Sequence, residues 1–235
     1  MTMTKPIPSM AEEAANKIIQ FITTNQMLPG DKMPTEAVLT VKLGVSRSTV
    51  REAIKILSAR NILEIRQGSG AFISPRRGVP DDPLGLTFIY DDDLLAVDLL
   101  DVRTMIEPRA AMLAAINGTE EQCQRLLDQC TVVENLIKND ENYIDADIEL
   151  HKLICEASGN RILINLSYIL HTSVKKTFVA TSDALRDNNT FVYHRQTVEA
   201  IARHDALSAY NSMMCHVCGL REFIARKIKE RDGQQ

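Results

Sequence analysis

The chain has 235 residues, of which 45% are hydrophobic, and a formal net charge of −4. That is enough apolar material for one large domain or two smaller ones. It contains no run of about 18 apolar residues and no secretory signal at its start, which excludes membrane-protein classes and predicts a cytoplasmic location. Five cysteines, an odd number, favour reduced thiols over a disulfide framework.

Charge is distributed unevenly along the chain. Residues 1–77 hold 11 basic and 6 acidic groups, a net charge of +5, whereas residues 78–235 hold 16 and 25, a net charge of −9. The basic part is suited to a polyanion such as DNA. Prolines and glycines cluster where the balance changes sign. We therefore expect a DNA-binding domain over 1–76, a linker over 77–88 and an effector-binding and dimerisation domain over 89–235.

The first third of the sequence reads as three helices followed by a hairpin. Apolar periodicity, Ser46 as an N-cap and Gly44 as a positive-φ helix end set the boundaries. Gln67-Gly68-Ser69-Gly70 separates the two short strands. The predicted helices cover about 11–26, 35–43 and 47–60, and the predicted strands cover 63–66 and 71–74.

The third helix has the pattern of a DNA recognition helix. Its buried stripe leaves four polar side chains near the helix N-terminus, the end that enters the major groove in helix-turn-helix proteins. Arginine suits guanine edges, and hydroxyls suit phosphate oxygens. The alternative for the arginines is a solvated helix face with Glu52 as their ion-pair partner. The four side chains are Arg47, Ser48, Thr49 and Arg51.

Several linked motifs over about residues 10–74 resemble the N-terminal winged helix of GntR-type transcription regulators. They are Leu28-Pro29-Gly30-Asp31, Gly44-Val45-Ser46-Arg47 with Val50-Arg51-Glu52-Ala53, and Arg66-Gln67-Gly68-Ser69-Gly70-Ala71-Phe72-Ile73. The resemblance implies that Arg47 and Arg51 reach bases or phosphates and that Ser48 and Thr49 touch the DNA backbone. It also implies that the wing tip, Gln67 and Gly68, enters the minor groove. Two departures are Ala37, where some members carry arginine, and Asn61, where glycine is usual.

The rest of the chain shows helical periodicity and no alternating strand pattern. The predicted helices cover about 92–117, 119–138, 141–157, 160–182, 190–203 and 205–230. Pro108 should kink or break the first of them. The predicted fold is therefore mainly α, a winged helix-turn-helix with three helices and a two-stranded wing, followed by an all-α antiparallel helical bundle.

Polar side chains interrupt the apolar faces of three of these helices. Asp147 and His151 are four residues apart on a face with Ile148, and His194 and His216 lie on inward stripes of two other helices. Buried carboxylates and imidazoles require partners. Four converging ligands predict a metal site, although for any single histidine a hydrogen-bonded core residue is the alternative. Cys215 and Cys218 form a single C-x-x-C motif without a second cysteine pair. We therefore expect these two cysteines to pack in the core and not to form a zinc or redox site.

A second resemblance covers about residues 92–225. Leu99-Leu100-Asp101-Val102-Arg103, Asp147-Ile148-Glu149-Leu150-His151 and His216-Val217 look like the FCD ligand-binding domain of the FadR branch of GntR regulators. It implies that Asp147, His151, His194 and His216 hold a divalent ion. Three imidazoles and one carboxylate suit Zn, Ni, Co or Mn.

The expected effector is a small carboxylate, a sugar acid or organic acid, bound at this metal. Arg103 is the candidate for gripping its other end, because guanidinium pairs bidentately with carboxylates. The alternative for Arg103 is an ion pair with Asp101, Glu107 or another helix. His171 is a further candidate for the cavity wall, and His204 reads as a surface or capping residue.

These expectations combine into a regulator rather than an enzyme. A homodimer would bind an inverted repeat of double-stranded DNA and act as a repressor that the carboxylate releases. One alternative keeps DNA binding and makes the metal structural or itself the signal. A metal-dependent hydrolase is the other, but the general base is missing because Glu149 and Glu156 do not share the helix face of Asp147 and His151.

Overall fold

A computed structural model describes residues 8–76, 78–90, 92–174 and 191–232. The chain divides into two units, Met1–Pro83 and Leu84–Gln235, and the division lies inside the predicted linker 77–88. Within the described residues, no helix is both long enough and apolar enough to cross a bilayer.

The first unit is a winged helix, as the sequence predicted. Its elements are α1 (Met10–Thr24), α2 (Glu36–Leu43), α3 (Arg47–Ala59), β1 (Leu63–Arg66) and β2 (Gly70–Ile73). The three helices enclose a small core in which Ile18, Leu39 and Leu57 are fully buried. This core holds α3 in place and leaves its polar face in solvent.

Local sequence signals account for the helix ends in this unit. Thr35 and Ser46 are N-caps whose hydroxyls accept hydrogen bonds from the backbone N–H of Val38 and Thr49. Gly44 ends α2 in the left-handed conformation, at φ +66°. Asn61 takes the turn after α3 at φ +54°, a conformation that asparagine tolerates better than most residues.

The wing is an antiparallel pair in which Leu63 lies opposite Ile73 and Arg66 opposite Gly70. An isolated antiparallel β-bridge between Lys32 and Phe72 also connects the segment before α2 to β2. The second strand begins one residue earlier than predicted. The Arg66 guanidinium carbon lies 4.3 Å from the centre of the Phe72 ring, which ties the two strands together near the wing tip.

The second unit is helical throughout the residues described. A short 3₁₀ turn, Leu86–Phe88, precedes α4 (Asp92–Asn117), α5 (Glu120–Lys138), α6 (Ile144–Ala157), α7 (Arg161–Val174), α8 (Phe191–Ala202) and α9 (Ala206–Asp232). The mainly α prediction is therefore confirmed. The end of the predicted helix 160–182 lies outside the described residues, and Pro108 lies within a continuous α4.

Helix α4 forms the centre of this unit and makes its most extensive contact with α9. Four alanines of α4 are fully buried, and small side chains allow neighbouring helices to approach closely. They are Ala110, Ala111, Ala114 and Ala115. Ion pairs fix the helices at the surface, since Arg195 of α8 binds Glu134 of α5 bidentately and Arg221 of α9 binds Asp101 of α4.

Candidate functional site

Three helices bring the four predicted metal ligands together inside the second unit. Helix α6 carries Asp147 and His151, α8 carries His194 and α9 carries His216. All three imidazoles are only 1% exposed, and the Asp147 side chain is 12% exposed. The Asp147–His151 spacing of one helical turn places both side chains on the same face of α6.

The ligand atoms converge on one point. His194 Nε2 lies 3.3 Å from His151 Nε2 and 3.0 Å from His216 Nε2. Asp147 Oδ1 lies 3.4 Å from His194 Nε2 and 3.9 Å from His151 Nε2. The three imidazoles are therefore close enough together to share a single ion, and Asp147 Oδ1 lies beside two of them.

The hydrogen-bonding capacity of this group does not explain its geometry. One imidazole nitrogen offers either one proton or one lone pair, so His194 Nε2 cannot bond normally to both neighbouring imidazoles. Asp147 Oδ1 and His194 Nδ1 are also buried without a hydrogen-bond partner among the residues described. Neighbouring ligands of a divalent transition metal are about 2.8–3.6 Å apart, so these residues fit such an ion.

The electrostatics of the site also favour a cation. Burial lowers the pKa of His194 to about 4, and burial together with the nearby His194 lowers the pKa of His216 well below its ordinary value. Both rings are consequently neutral near pH 7, the form that binds metals. A buried carboxylate among neutral imidazoles needs a positive partner.

Glu107 of α4 supports the site from behind, and sequence reasoning did not assign it this position. Its Oε2 lies 3.0 Å from His151 Nδ1, and its Oε1 accepts a 2.7 Å hydrogen bond from Arg103 Nε. A carboxylate at Nδ1 favours the proton on that nitrogen, which leaves the Nε2 lone pair for the site. The available signal was the four-residue spacing from Arg103 to Glu107 on a buried helix.

Arg103 is buried and bound to Glu107, which is the alternative that the sequence left open. Its Nε and Nη2 both donate to this carboxylate. A guanidinium has five N–H donors, so the ion pair leaves other donors beside the site. The side chain of His171 lies outside the described residues. His204 contacts the Ala115 carbonyl at 2.8 Å and caps the end of α4.

The two cysteines of the C-x-x-C motif do not lie in the core. Cys215 is exposed and Cys218 is half-buried, and both line a pocket of about 350 Å³ on α9. The expectation of core packing is therefore wrong for Cys215. The inward stripe of α9 runs through Met213, and Cys215 is two residues away, on the opposite side of the helix.

The predicted DNA-contacting residues lie on α3 and at the tip of the wing. Arg47, Ser48, Arg51 and the wing tip Gln67–Gly68 are exposed, and Thr49 is half-buried. A groove of about 610 Å³ lies between α3 and the wing; its lining is mostly apolar and also carries three basic side chains and the acid Glu36. Its lining includes Lys32, Arg51, Lys55, Gly68 and Gly70.

Arg51 has a partner that sequence reasoning did not identify. Its Nε and Nη2 donate to the Glu36 carboxylate at 3.3 and 3.0 Å, and hydrogen bonding from Arg51 lowers the pKa of Glu36. Glu52, the partner considered from sequence, instead contacts Lys55 at 2.8 Å. Arg51 therefore forms a solvent-exposed ion pair with Glu36 of α2 and not with Glu52.

Two regions of the chain match known families. Residues 10–73 match the bacterial regulatory proteins of the gntR family, and residues 98–218 match the FCD domain. The solved structure of Streptococcus agalactiae GntR is 32% identical, with a TM-score of 0.77 over 90% of this chain and 99% of that one.

Two curated relatives from Escherichia coli are each 26% identical to this chain. The putative L-lactate dehydrogenase operon regulatory protein aligns over 96% of this chain and 89% of its own length. The transcriptional repressor NanR aligns over 91% and 82%. The relatives and the matched domains are those of transcription regulators, which confirms that the chain is not an enzyme. The chain belongs to the GntR family of bacterial transcription regulators, with an FCD domain after its DNA-binding domain.

Proposed function

We propose that this protein is a metabolite-responsive repressor whose effector, a small carboxylate, binds at a divalent transition metal. The convergence of Asp147 Oδ1 with the Nε2 atoms of His151, His194 and His216 carries the proposal. Residues 1–76 bind DNA in this proposal, and residues 89–235 bind the effector and form the dimer.

The donor set favours Zn, Ni, Co or Mn over Ca or Mg, because imidazoles are poor ligands for the hard cations. The metal would supply an open coordination position to an anionic oxygen. Arg103 adds a positive charge beside the site, and its donors beyond the Glu107 pair are suited to a second carboxylate oxygen. Arg103 then has two roles, since it also holds Glu107 against His151.

DNA recognition is assigned to α3 and the wing. Arg47 and Arg51 are placed to read base edges or phosphates, with Ser48 and Thr49 on the DNA backbone and Gln67 and Gly68 in the minor groove. The exposure of this surface and the groove beside it support the assignment. A homodimer would bring two such surfaces to an inverted repeat in the cytoplasm.

The names of two relatives support repression as the mode of regulation and a small carboxylate as the effector class. NanR is named as a repressor, and the lactate dehydrogenase operon regulator is named for an operon that handles a hydroxy acid. Repression relieved by a small organic or sugar acid is consistent with both names. Such an effector must bind one dimer geometry better than another.

The test uses the full-length protein and the promoter DNA of its own gene in a fluorescence anisotropy assay. Metal-loaded protein should release the DNA when one acid from a panel of hydroxy acids and sugar acids is added, and chelated protein should not respond. If chelation alone releases the DNA, the metal is the signal. If no acid acts on metal-loaded protein, the carboxylate proposal is wrong.

Variants separate the metal site from general effects on folding. Asp147→Ala and His194→Ala should lose the metal, measured by elemental analysis, and should lose the response to the acid. Glu149→Ala is the matched control, because Glu149 is an exposed acid on the same helix as Asp147. Normal metal content in Asp147→Ala would show that the ligand assignment is wrong.

A further inference from the structure

The outer face of α4 carries a row of side chains, five exposed and one half-buried, that the metal site does not use. Its apolar members include Leu94, Val102 and Met105, which are 56%, 39% and 76% exposed. One acid and one base interrupt the row. We name it the α4 stripe, and it consists of the exposed Leu94, Asp98, Val102, Met105 and Arg109 and the half-buried Leu113.

The spacing of these residues puts them on one side of the helix. They follow one another at intervals of four, four, three, four and four, which is the repeat of a single helical face. The stripe extends for about 30 Å at 1.5 Å per residue. Exposed apolar residues are ordinary when scattered, but a continuous row with large apolar side chains indicates an interaction surface.

The stripe is palindromic in both spacing and chemistry. Its centre lies between residues 103 and 104, and the intervals read the same in either direction from that point. Leu94, Asp98 and Val102 on one side correspond in position to Leu113, Arg109 and Met105 on the other. Apolar positions thus mirror apolar positions, and the acid mirrors the base.

We propose that a second copy of this chain covers the α4 stripe, with two α4 helices crossing antiparallel about a two-fold axis between residues 103 and 104. Such an isologous contact brings residue i opposite the partner's residue at 207 − i. Asp98 then faces the partner's Arg109, Val102 faces the partner's Met105, and Leu94 faces the partner's Leu113.

Charge complementarity selects a second copy as the occupant. Among the residues described, neither Asp98 nor Arg109 forms an ion pair within its own chain, and the side-chain contact of Arg109 is with Met112. A two-fold axis satisfies both charges twice with the same pair of residues. An unrelated partner or a nucleic acid would have no reason to require an acid and a base at mirror positions.

This inference rests on the proposed function in one respect, since a dimer is what an inverted repeat requires. It adds the surface and the register of that dimer. The register can be tested by exchanging charges, because in an antiparallel two-fold contact each ion pair joins Asp98 of one chain to the partner's Arg109.

The experiment measures the dimer dissociation constant of full-length Asp98→Arg and Arg109→Asp by analytical ultracentrifugation. Each variant alone puts like charges opposite each other at two places and should raise this constant about tenfold. An equimolar mixture of the two should form a heterodimer with wild-type affinity, detected by native mass spectrometry, because every contact is then between opposite charges.

Met105→Glu should weaken the dimer more than either charge variant, at least a hundredfold, since Met105 lies next to the axis. Leu207→Glu is the matched control, because Leu207 is 65% exposed on α9 and lies off the stripe. Circular dichroism melting checks that each variant is folded. If Met105→Glu does not fold, the mixture of the two charge variants still decides the register.

The outcomes separate this inference from the proposed function. Dimer affinity within twofold of wild type in both charge variants, or a mixture that forms no heterodimer, would overturn the α4 contact. Binding of two chains to each inverted repeat would then leave the proposed function intact, with the dimer formed elsewhere. A chain that binds the repeat only as a monomer would overturn both.

Discussion

Replacing Glu107 with glutamine should weaken the metal site without touching a ligand. Glutamine keeps the size of the side chain and removes the charge that lies 3.0 Å from His151 Nδ1. The pair is almost fully buried, so solvent does not screen the loss. Removing a carboxylate behind a ligating histidine typically lowers metal affinity about 10–100-fold, which is about 1.4–2.7 kcal/mol.

The same substitution removes the partner of a buried cation. Arg103 is 4% exposed and receives its ion pair from Glu107 alone among the contacts described for its side chain. Breaking a buried ion pair on one side costs about 3–5 kcal/mol of unfolding free energy. The double variant Arg103→Met/Glu107→Gln should recover much of this loss, because no unpaired charge remains, but it should not recover the metal affinity.

Competition against a chelator of known affinity measures the metal affinity of each variant, and denaturant unfolding of the metal-free protein measures stability. Glu149→Gln removes an exposed acid from α6. It should leave the metal affinity within twofold of wild type and the unfolding free energy unchanged. The reasoning is refuted if Glu107→Gln binds metal as tightly as wild type while His151→Ala does not. In that case the carboxylate would stabilise the fold without supporting the ligand.

Three further predictions follow from burial and charge. The pKa of His194 is about 4 in the folded protein and about 6.5 in the unfolded chain. The metal-free protein should therefore lose stability as the pH falls from 6.5 to 4, with His194 contributing up to about 1.4 kcal/mol per pH unit. Denaturant unfolding measures how the unfolding free energy changes with pH, and the same dependence in His194→Gln would contradict this prediction. Ala37→Arg adds a cation at an exposed position of α2 and should raise DNA affinity at low salt, with a salt dependence steeper by about one unit; an unchanged salt slope would place Ala37 away from the phosphates. A thiol reagent should modify Cys215 and Cys218 in the native protein, and fast reaction of any further thiol would contradict the burial of the other three, Cys123, Cys130 and Cys155.

The helices and the four candidate ligands could be predicted because their signals are local. Apolar residues three and four apart set the faces of the helices, and caps such as Ser46 set their starts. Once each face was known, a polar side chain on it had to point inward. Asp147 and His151 needed only the spacing of one turn, and His194 and His216 needed only their place on an inward stripe.

The partners of these residues could not be predicted in the same way. Glu36 and Arg51 are 15 residues apart and lie on different helices, so their ion pair depends on how α2 and α3 meet. Glu107 and His151 are likewise joined only by the contact of α4 with α6. The exposure of Cys215 was different, because its angle from Met213 on an ideal helix already placed it opposite the buried face.

Helix α4 links the metal site to the proposed dimer contact. Arg103 and its partner Glu107 face the site, whereas Val102 and Met105 lie beside them on the exposed side of the same continuous helix. A ligand that shifts the backbone of α4 through Arg103 therefore shifts the stripe as well. Coupling of this kind is reciprocal in free energy. If Zn²⁺ changes the dimer dissociation constant by a given factor, each of the two sites of the dimer must differ in Zn²⁺ affinity from the monomer by the square root of that factor. Metal titration of wild type and of Met105→Glu makes this comparison. Equal Zn²⁺ affinity in the dimeric wild type and the monomeric Met105→Glu variant would show that the metal site and the α4 contact are not coupled.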